Sequence, residues 1–157
     1  MNLAIHYRLT GHGWSECTVS SGEQSCQVSA SYLSDALGNL VRAAVALLSG
    51  FSAVTFSFEE EPAEYRWVIR SPRFNEIDLV ILTFDDLYNG RPDDEGQEMF
   101  RVRCVPETFA FAVYEAALQL LREEGEAGYA EKWGDHPFPK AQLAELRGLL
   151  ETLGHAV

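Results

Sequence analysis

The 157-residue sequence has few long apolar runs, few basic side chains and few cysteines. Its longest mostly apolar stretch, Leu40–Leu48, is interrupted by Arg42 and is much shorter than the roughly 20 residues that a membrane-spanning helix needs. The N-terminus has no basic segment followed by an apolar segment, so a signal peptide is not expected. Both absences predict a cytoplasmic protein whose cysteines are reduced thiols.

Basic residues are outnumbered two to one, because Lys and Arg total 12 whereas Asp and Glu total 24, for a formal net charge of −12. An acidic surface repels phosphate groups and anionic lipid, which argues against nucleic-acid and membrane partners. It attracts a basic protein instead, since complementary charge raises association rates and restricts partner choice. Acidic side chains also raise solubility, and this is the alternative explanation of the charge.

The chain also lacks complete motifs for metal binding, nucleotide binding and catalysis. The segment that starts at Asp85 matches a calcium loop at its first and sixth positions, but its third position is Leu87 and its twelfth is Gly96. The histidines and cysteines show no zinc-ligand spacing, and Gly11-His12-Gly13 lacks the rest of either nucleotide fingerprint. The sequence therefore predicts no catalytic residue, no metal site and no cofactor.

The sequence does contain enough apolar material for one α+β domain. Apolar residues make up 46% of the chain, whose length is ordinary for a single domain spanning residues 1–157. A turn at Ser21-Gly22 would place Cys17 directly opposite Cys26, close enough to be bridged under oxidation. Alternating apolar and polar side chains predict the first three strands over residues 3–10, 14–20 and 25–30.

A helix and four more strands follow in the prediction. Apolar residues at helical spacing predict a helix from about Leu33 to Leu48, capped by Ser31 and stopped by Gly50. Residues 71–75 are predicted as a turn, because Pro72 cannot donate to a strand ladder. The four strands are predicted over residues 54–59, 65–70, 77–84 and 99–104, and the third of them is apolar on both faces, which is typical of a central strand.

Two C-terminal helices complete the predicted fold. The first starts at Pro106 and ends at Gly125, an aromatic connection follows over residues 128–139, and the second helix spans Lys140–Leu153. The expected architecture is an antiparallel meander sheet of six to seven strands, three N-terminal and four central. This sheet is expected to pack against one long helix after strand 3 and against the two C-terminal helices.

Acidic side chains are concentrated in two loops of the predicted meander. Consecutive hairpins lie at alternating ends of a meander, and one turn separates these two loops, so they should share an end. We expect this end to form an acidic rim that binds another protein, such as a basic toxin or enzyme, with ordinary hydrophilic turns as the alternative. The predicted binding residues are Glu59, Glu60, Glu61, Glu64, Asp85, Asp86, Asp93, Asp94 and Glu95.

The outward face of the central strands mixes arginine with apolar residues. Such a mixture is typical of a binding surface, or of a self-interface in a homo-oligomer. The alternative is that the last helix or the segment Tyr129–Phe138 covers this face, since a strand that is apolar on both sides needs cover on both. The outward residues are predicted to be Arg66, Arg70, Arg101 and Arg103, with Val68, Val80, Leu82 and Met99 between them.

A second candidate site lies in the aromatic connection before the last helix. Tyr129, Trp133 and His136 would line a pocket for a small molecule or a reaction. In that hypothesis Asp135 orients His136, and Cys104 is the nucleophile. No spacing brings these residues together, so the alternative role of His136 is to fix a proline-flanked turn.

Two segments carry a resemblance to known proteins. Ser31-Tyr32-Leu33-Ser34-Asp35-Ala36-Leu37, followed by Glu61-Pro62-Ala63-Glu64-Tyr65-Arg66-Trp67, resembles a group of small uncharacterised bacterial α+β proteins with the same order of elements. In size, acidity and lack of a catalytic motif the chain is also similar to cytoplasmic immunity proteins that neutralise bacterial toxins. That similarity implies a non-enzymatic inhibitor that occludes its partner. A ligand-binding or enzymatic domain, and a structural subunit that self-associates through its sheet face, are the alternatives.

Overall fold

The computed structural model describes residues 2–86 and 90–157 and shows an α+β architecture. Both strand-rich regions alternate apolar and polar residues, which is the pattern of sheets with one face in a core. The elements are β1 (Ala4–Gly11), β2 (Trp14–Ser21), β3 (Gln24–Ser31), α1 (Ala36–Leu48), β4 (Ala53–Glu59), β5 (Glu64–Arg73), β6 (Glu76–Phe84), a 3₁₀ turn (Asp93–Glu95), β7 (Gln97–Cys104), α2 (Pro106–Trp133) and α3 (Lys140–Thr152).

The strands form two antiparallel sheets, so the prediction of one continuous sheet was wrong. Sheet A has the order β1-β2-β3 and sheet B has the order β4-β5-β6-β7. The physical reason is the crossover through α1, after which β4 pairs with β5 and begins a new sheet. β3 meets the end of β4 through a side chain, because the Ser31 hydroxyl donates to the Glu59 carbonyl at 2.9 Å.

The hairpin between β2 and β3 turns one residue later than predicted. Its two-residue loop is Gly22-Glu23, since Ser21 pairs with Gln24. Such loops need a positive φ at their first position, and Gly22 supplies it with φ 60°. The shift places Cys17 opposite Val28 and leaves Cys26 diagonal to it. Diagonal Cα atoms lie roughly 7–8 Å apart, beyond the usual reach of a disulfide, and all cysteines are free thiols.

β5 continues through Pro72, where the sequence predicted a turn. The pairing with β6 shifts register between Arg70 and Arg73, so the proline lies at a bulge, which is one of the places where a sheet tolerates it. The chain then reverses at Asn75, which has φ 58°. The turn is therefore shorter than predicted, and sheet B is longer at this end.

Both long helices differ from their predicted limits. α1 begins at Ala36, and its N-cap is Asp35, whose carboxylate accepts from the Gly38 amide at 3.2 Å. The predicted cap, Ser31, bonds to β4 instead. In α2 the backbone of Gly125 is not helical, with φ 69° and ψ 166°, so the helix that starts at Pro106 is interrupted where the sequence predicted its end. A second helical segment then continues to Trp133, where the sequence predicted an irregular connection.

The helices cover the inner face of both sheets and enclose the core. α1 packs against β4, α2 packs against β1, and α3 packs on both of these helices. Phe56 and Phe58 of β4 lie against the Trp67 ring, at centroid distances of 5.4 and 5.2 Å. Within the described residues, no helix combines the length and the apolar character that crossing a bilayer requires.

Candidate functional site

The outer face of sheet B carries a small apolar cluster separate from the main core. Its members are Val68 of β5 and Val80, Leu82 and Phe84 of β6. Residues 91–96, between β6 and β7, lie over it. Neither of the predicted covers does, because the C-terminal helices and the segment Tyr129–Phe138 pack on the inner side. Met99, predicted to face outward, packs against the main core instead, next to a register shift in the pairing of β6 with β7.

Arg66 fixes the covering loop to the sheet. Its guanidinium lies 4.2 Å from the centroid of the Phe84 ring and donates to Glu64 at 3.0 Å, to Asp93 at 2.9 Å and to the Arg91 carbonyl at 2.7 Å. The Arg66 side chain is only 12% exposed. Desolvation lowers the pKa of Arg66, but the hydrogen bonds and charges of Glu64 and Asp93 raise it more, so the net pKa lies above its usual value. The side chain thus stays charged in this place.

Gly96 allows the loop to lie directly on the sheet. A Cβ atom at this position would lie 2.7 Å from Cζ of the Phe84 ring and 3.0 Å from Cβ of Leu82. Contacts that short do not occur between real side chains without a shift of one partner. The absence of a side chain at residue 96 is therefore part of how the loop is positioned.

A groove of about 330 Å³ opens beside this loop on the outer face of sheet B. Its floor is apolar and its sides are charged. Several of the charged residues at the sides of the groove already form ion pairs: Arg101 contacts Asp78 at 3.1 Å, and Arg70 contacts Asp93 at 3.6 Å. We call this feature the outer groove; it is lined by Val68, Arg70, Asp78, Val80, Leu82, Asp93, Asp94 and Arg101.

The two predicted acidic segments leave the same end of sheet B. Glu59 pairs with Glu64, and Glu64 pairs with Phe84, so the β4–β5 turn and the β6–β7 loop begin side by side. Residues 87–89 of that loop, including Leu87 of the calcium-loop comparison, lie outside the described residues. We call this end the acidic rim; it comprises Glu59, Glu60, Glu61, Glu64, Asp85, Asp86, Asp93, Asp94 and Glu95.

The carboxylates of the acidic rim differ in how far they are neutralised. Glu64 and Asp93 are paired with Arg66, Asp86 contacts Arg91 at 3.3 Å, and Glu60 accepts a hydrogen bond from Ser29. In the described part of the chain, four of the remaining carboxylates make no ion pair; these are Glu59, Asp85, Asp94 and Glu95. Glu61 has an interaction partner. Four unpaired carboxylates on one rim make a local negative field.

The aromatic residues of the second candidate site belong to the core. Tyr129 and Trp133 are fully buried, their ring centroids are 6.3 Å apart, and Phe138 meets Tyr129 edge to face at 5.5 Å. A ligand that reached these rings would displace core side chains. Cys104, the nucleophile of this hypothesis, is poorly suited to that role, because burial raises the pKa of its thiol to about 11 and so disfavours the reactive thiolate. His136 is half-buried at the C-terminal side of this cluster.

The structure also brings together a pair of residues that no sequence pattern predicts. His155 Nε2 lies 2.6 Å from Glu107 Oε2, and the imidazole stacks on Phe111 with a centroid distance of 5.9 Å. The two polar residues are 48 positions apart, so no local spacing links them. This contact fastens the C-terminal segment to the first turns of α2.

No three His, Cys, Asp or Glu side chains converge as a metal site in residues 2–86 and 90–157.

Comparison of the chain with protein families, with curated proteins and with solved structures found no match. The function proposed below is therefore inferred from the geometry of the acidic rim and the outer groove.

Proposed function

We propose that this protein is a non-enzymatic protein-binding domain that captures a basic partner with its acidic rim and outer groove. An immunity or inhibitor protein that occludes a toxin or enzyme in the cytoplasm is the specific form of this proposal. The observation that carries it is the position of Asp94. This exposed, unpaired carboxylate belongs to the rim and also lines the apolar-floored groove.

The acidic rim attracts a basic partner and orients it as it approaches. Its unpaired carboxylates act over roughly 8–10 Å at physiological ionic strength. A Lys- or Arg-rich surface would be steered toward this end and away from other acidic surfaces. Glu64 and Asp93 contribute less to this field, because Arg66 neutralises them.

The outer groove supplies the apolar contact that a charged rim lacks. Val68, Val80 and Leu82 form a floor that a single apolar side chain of a partner can cover. Central apolar contacts surrounded by charged residues are typical of protein interfaces, where a few buried anchors carry most of the affinity. The fixed loop above the groove keeps Asp94 in place without a large ordering cost on binding.

The rim is tested with a charge-reversed variant and a matched control. The rim variant carries Asp85→Lys, Asp94→Lys and Glu95→Lys. The control carries the same number of reversals at exposed helical positions, Glu115→Lys, Glu131→Lys and Glu145→Lys. Proteins captured by the wild type from its native cell are identified, and the dissociation constant of each purified partner is measured over a salt series.

The rim variant should bind at least about tenfold more weakly, because exposed ion pairs contribute about 0.5 kcal/mol each. The control should keep the wild-type affinity within a small factor, and added salt should weaken the wild type more than the rim variant. Equal affinities for the rim and control variants would refute an electrostatic docking role. Val80→Phe, which fills the outer groove without changing charge, should weaken the same partner independently of salt.

A further inference from the structure

Part of the main chain of β4 has no hydrogen-bonding partner on its free side. β4 is an edge strand of sheet B, and β3 meets it from outside the sheet at its last residue, where the Ser31 hydroxyl donates to the Glu59 carbonyl at 2.9 Å. Within residues 2–86 and 90–157, no main-chain hydrogen bond reaches the stretch Ala53–Ser57 from any element other than β5. The contact with β3 therefore occupies one end of this edge and leaves Ala53–Ser57 open.

The pairing with β5 identifies which main-chain groups of this stretch point outward. The Ser71 amide donates to the Ser52 carbonyl at 2.8 Å, so these opposed residues form a hydrogen-bonded pair. Such pairs alternate along an antiparallel ladder, and the register of β4 with β5 is regular. The amides and carbonyls of Ala53, Thr55 and Ser57 therefore point to the free side. The carbonyl that β3 reaches is the next one in the same series.

A groove of about 380 Å³ opens between β4 and α1, on the inner side of this edge. Ala43 and Ala46 of α1 line one side of the groove, and Val54 and Phe56 of β4 line the other. Val54 and Phe56 pack against the core but remain half-buried, because the short alanine side chains leave the groove unfilled. A strand added beside β4 would place its inward side chains in this apolar space.

The charged residue that lines the groove is Arg42. Its side chain is 47% exposed, and its Nη2 atom donates to Asp35 at 3.0 Å and to Asn39 at 2.8 Å. Among the described residues no acceptor contacts its Nε or Nη1 atoms, so these donors are available to a ligand. An otherwise acidic protein thus presents a guanidinium beside an apolar groove, and a carboxylate is the complementary group.

These features together select an extended peptide as the ligand. Outward amides and carbonyls alternate along Ala53–Ser57, and an added strand satisfies both kinds of group along its length. Apolar inward side chains fit the alanine-lined groove, and an acidic side chain fits Arg42. The peptide should carry few acids, because the net charge of −12 repels a strongly acidic segment.

We propose that β4 binds an extended segment of a partner protein by strand addition, with apolar side chains in the groove against α1 and one acidic side chain on Arg42. This site uses the edge and the inner side of sheet B, whereas the outer groove lies on its outer face. It is therefore a second binding surface, and it does not depend on the function proposed for the acidic rim.

Selection from a displayed library of random peptides of about nine residues, long enough to form one strand, tests the site with the full chain immobilised. Enriched peptides should alternate apolar and polar residues and carry one Asp or Glu. Arg42→Glu should enrich Lys or Arg in place of that acid, because the charge beside the groove is reversed. Arg147→Glu, the same change at an arginine of α3 that is 56% exposed, should leave the acidic preference unchanged.

Methylation of alternate amides in an enriched peptide gives a second readout on the unchanged protein. In an added strand, every second peptide amide bonds to β4 and the others point away. Methylating one alternate set should weaken binding at least about tenfold, whereas methylating the other set should not, because only the first set donates hydrogen bonds. The bound peptide should also slow hydrogen exchange of the Ala53, Thr55 and Ser57 amides.

Three results would overturn the proposal. The first is a selection that enriches no peptide, and the second is an enriched peptide that the two methylation patterns weaken equally. The third is a peptide whose affinity falls in the rim variant and not in Arg42→Glu, which would assign binding to the acidic rim. Slow exchange of the same amides without peptide, in a wild type that sediments as a dimer, would assign the edge to a second copy of the chain instead.

Discussion

Replacing Arg66 should release the loop that covers the outer face of sheet B. In Arg66→Met the aliphatic stem is kept, and the charge that bonds Glu64, Asp93 and the Arg91 carbonyl is removed. The stacking of the guanidinium on Phe84 is lost as well. The variant therefore tests whether one buried arginine holds the candidate site together.

The size of the effect follows from exposure. Breaking a buried ion pair costs about 3–5 kcal/mol, whereas an exposed pair contributes about 0–1 kcal/mol. The Arg66 and Glu64 side chains are 12% and 14% exposed, so their ion pair is close to a buried one. The Asp93 side chain is 41% exposed, so its pair with Arg66 is closer to an exposed one. We expect Arg66→Met to lower the free energy of unfolding by about 2–3 kcal/mol.

Urea denaturation measures this loss, and Arg103→Met is the matched control. Arg103 lies on the same face, is 53% exposed and contacts Asp78 and Glu76 at 3.6 and 3.8 Å. Its replacement should cost less than about 1 kcal/mol. With a denaturant slope of about 2 kcal/mol/M, Arg66→Met should shift the unfolding midpoint by about 1 M. Equal losses in the two variants would show that Arg66 does not anchor the loop.

Three further outcomes are expected. Gly96→Ala should destabilise the fold by about 1–3 kcal/mol through overpacking. Gly148→Ala, in open space on α3, should stabilise the fold by about 0.5–1 kcal/mol. The midpoints of urea unfolding measure both changes. Burial raises the pKa of Cys26 and Cys104 to about 11. At pH 7.5, iodoacetamide should therefore label these thiols much more slowly in the folded protein than in the protein unfolded in urea. The same shifts make the neutral thiols stabilising below about pH 8.5, and the unfolding midpoint should fall as the pH rises from there toward 11.

Within the described residues, periodicity identified the strands and the α-helices except for the helical segment after Gly125, because most elements bury one face and their apolar residues repeat accordingly. It could not show that the strands form two sheets, because pairing partners are set by tertiary contacts. The apolar–polar pattern of β3 and β4 would be the same whether or not these two strands were paired. The β2–β3 turn and the N-cap of α1 were displaced by one and four residues for a similar reason. Both Ser31 and Asp35 are good N-caps, and packing of Ser31 on Glu59 decides between them.

The common end of the acidic segments followed from meander topology alone, and the pairing of Glu59, Glu64 and Phe84 confirms that geometry. Which carboxylates remain unpaired could not be predicted. It depends on Arg66 reaching Asp93, 27 residues away, across the outer face of the sheet. The contact of His155 with Glu107 is longer still in sequence and lies outside any local pattern.

The internal pairing of the acidic rim changes what a basic partner would meet. Arg66 binds Glu64 and Asp93, so the unpaired charge of the rim lies on Glu59 and, in the β6–β7 loop, on Asp85, Asp94 and Glu95. A partner therefore gains most from cations that contact the β6–β7 loop beside the outer groove. The arginine that removes two carboxylates from the binding surface also holds the remaining ones in position, which is why stability and partner affinity should fall together when Arg66 is replaced.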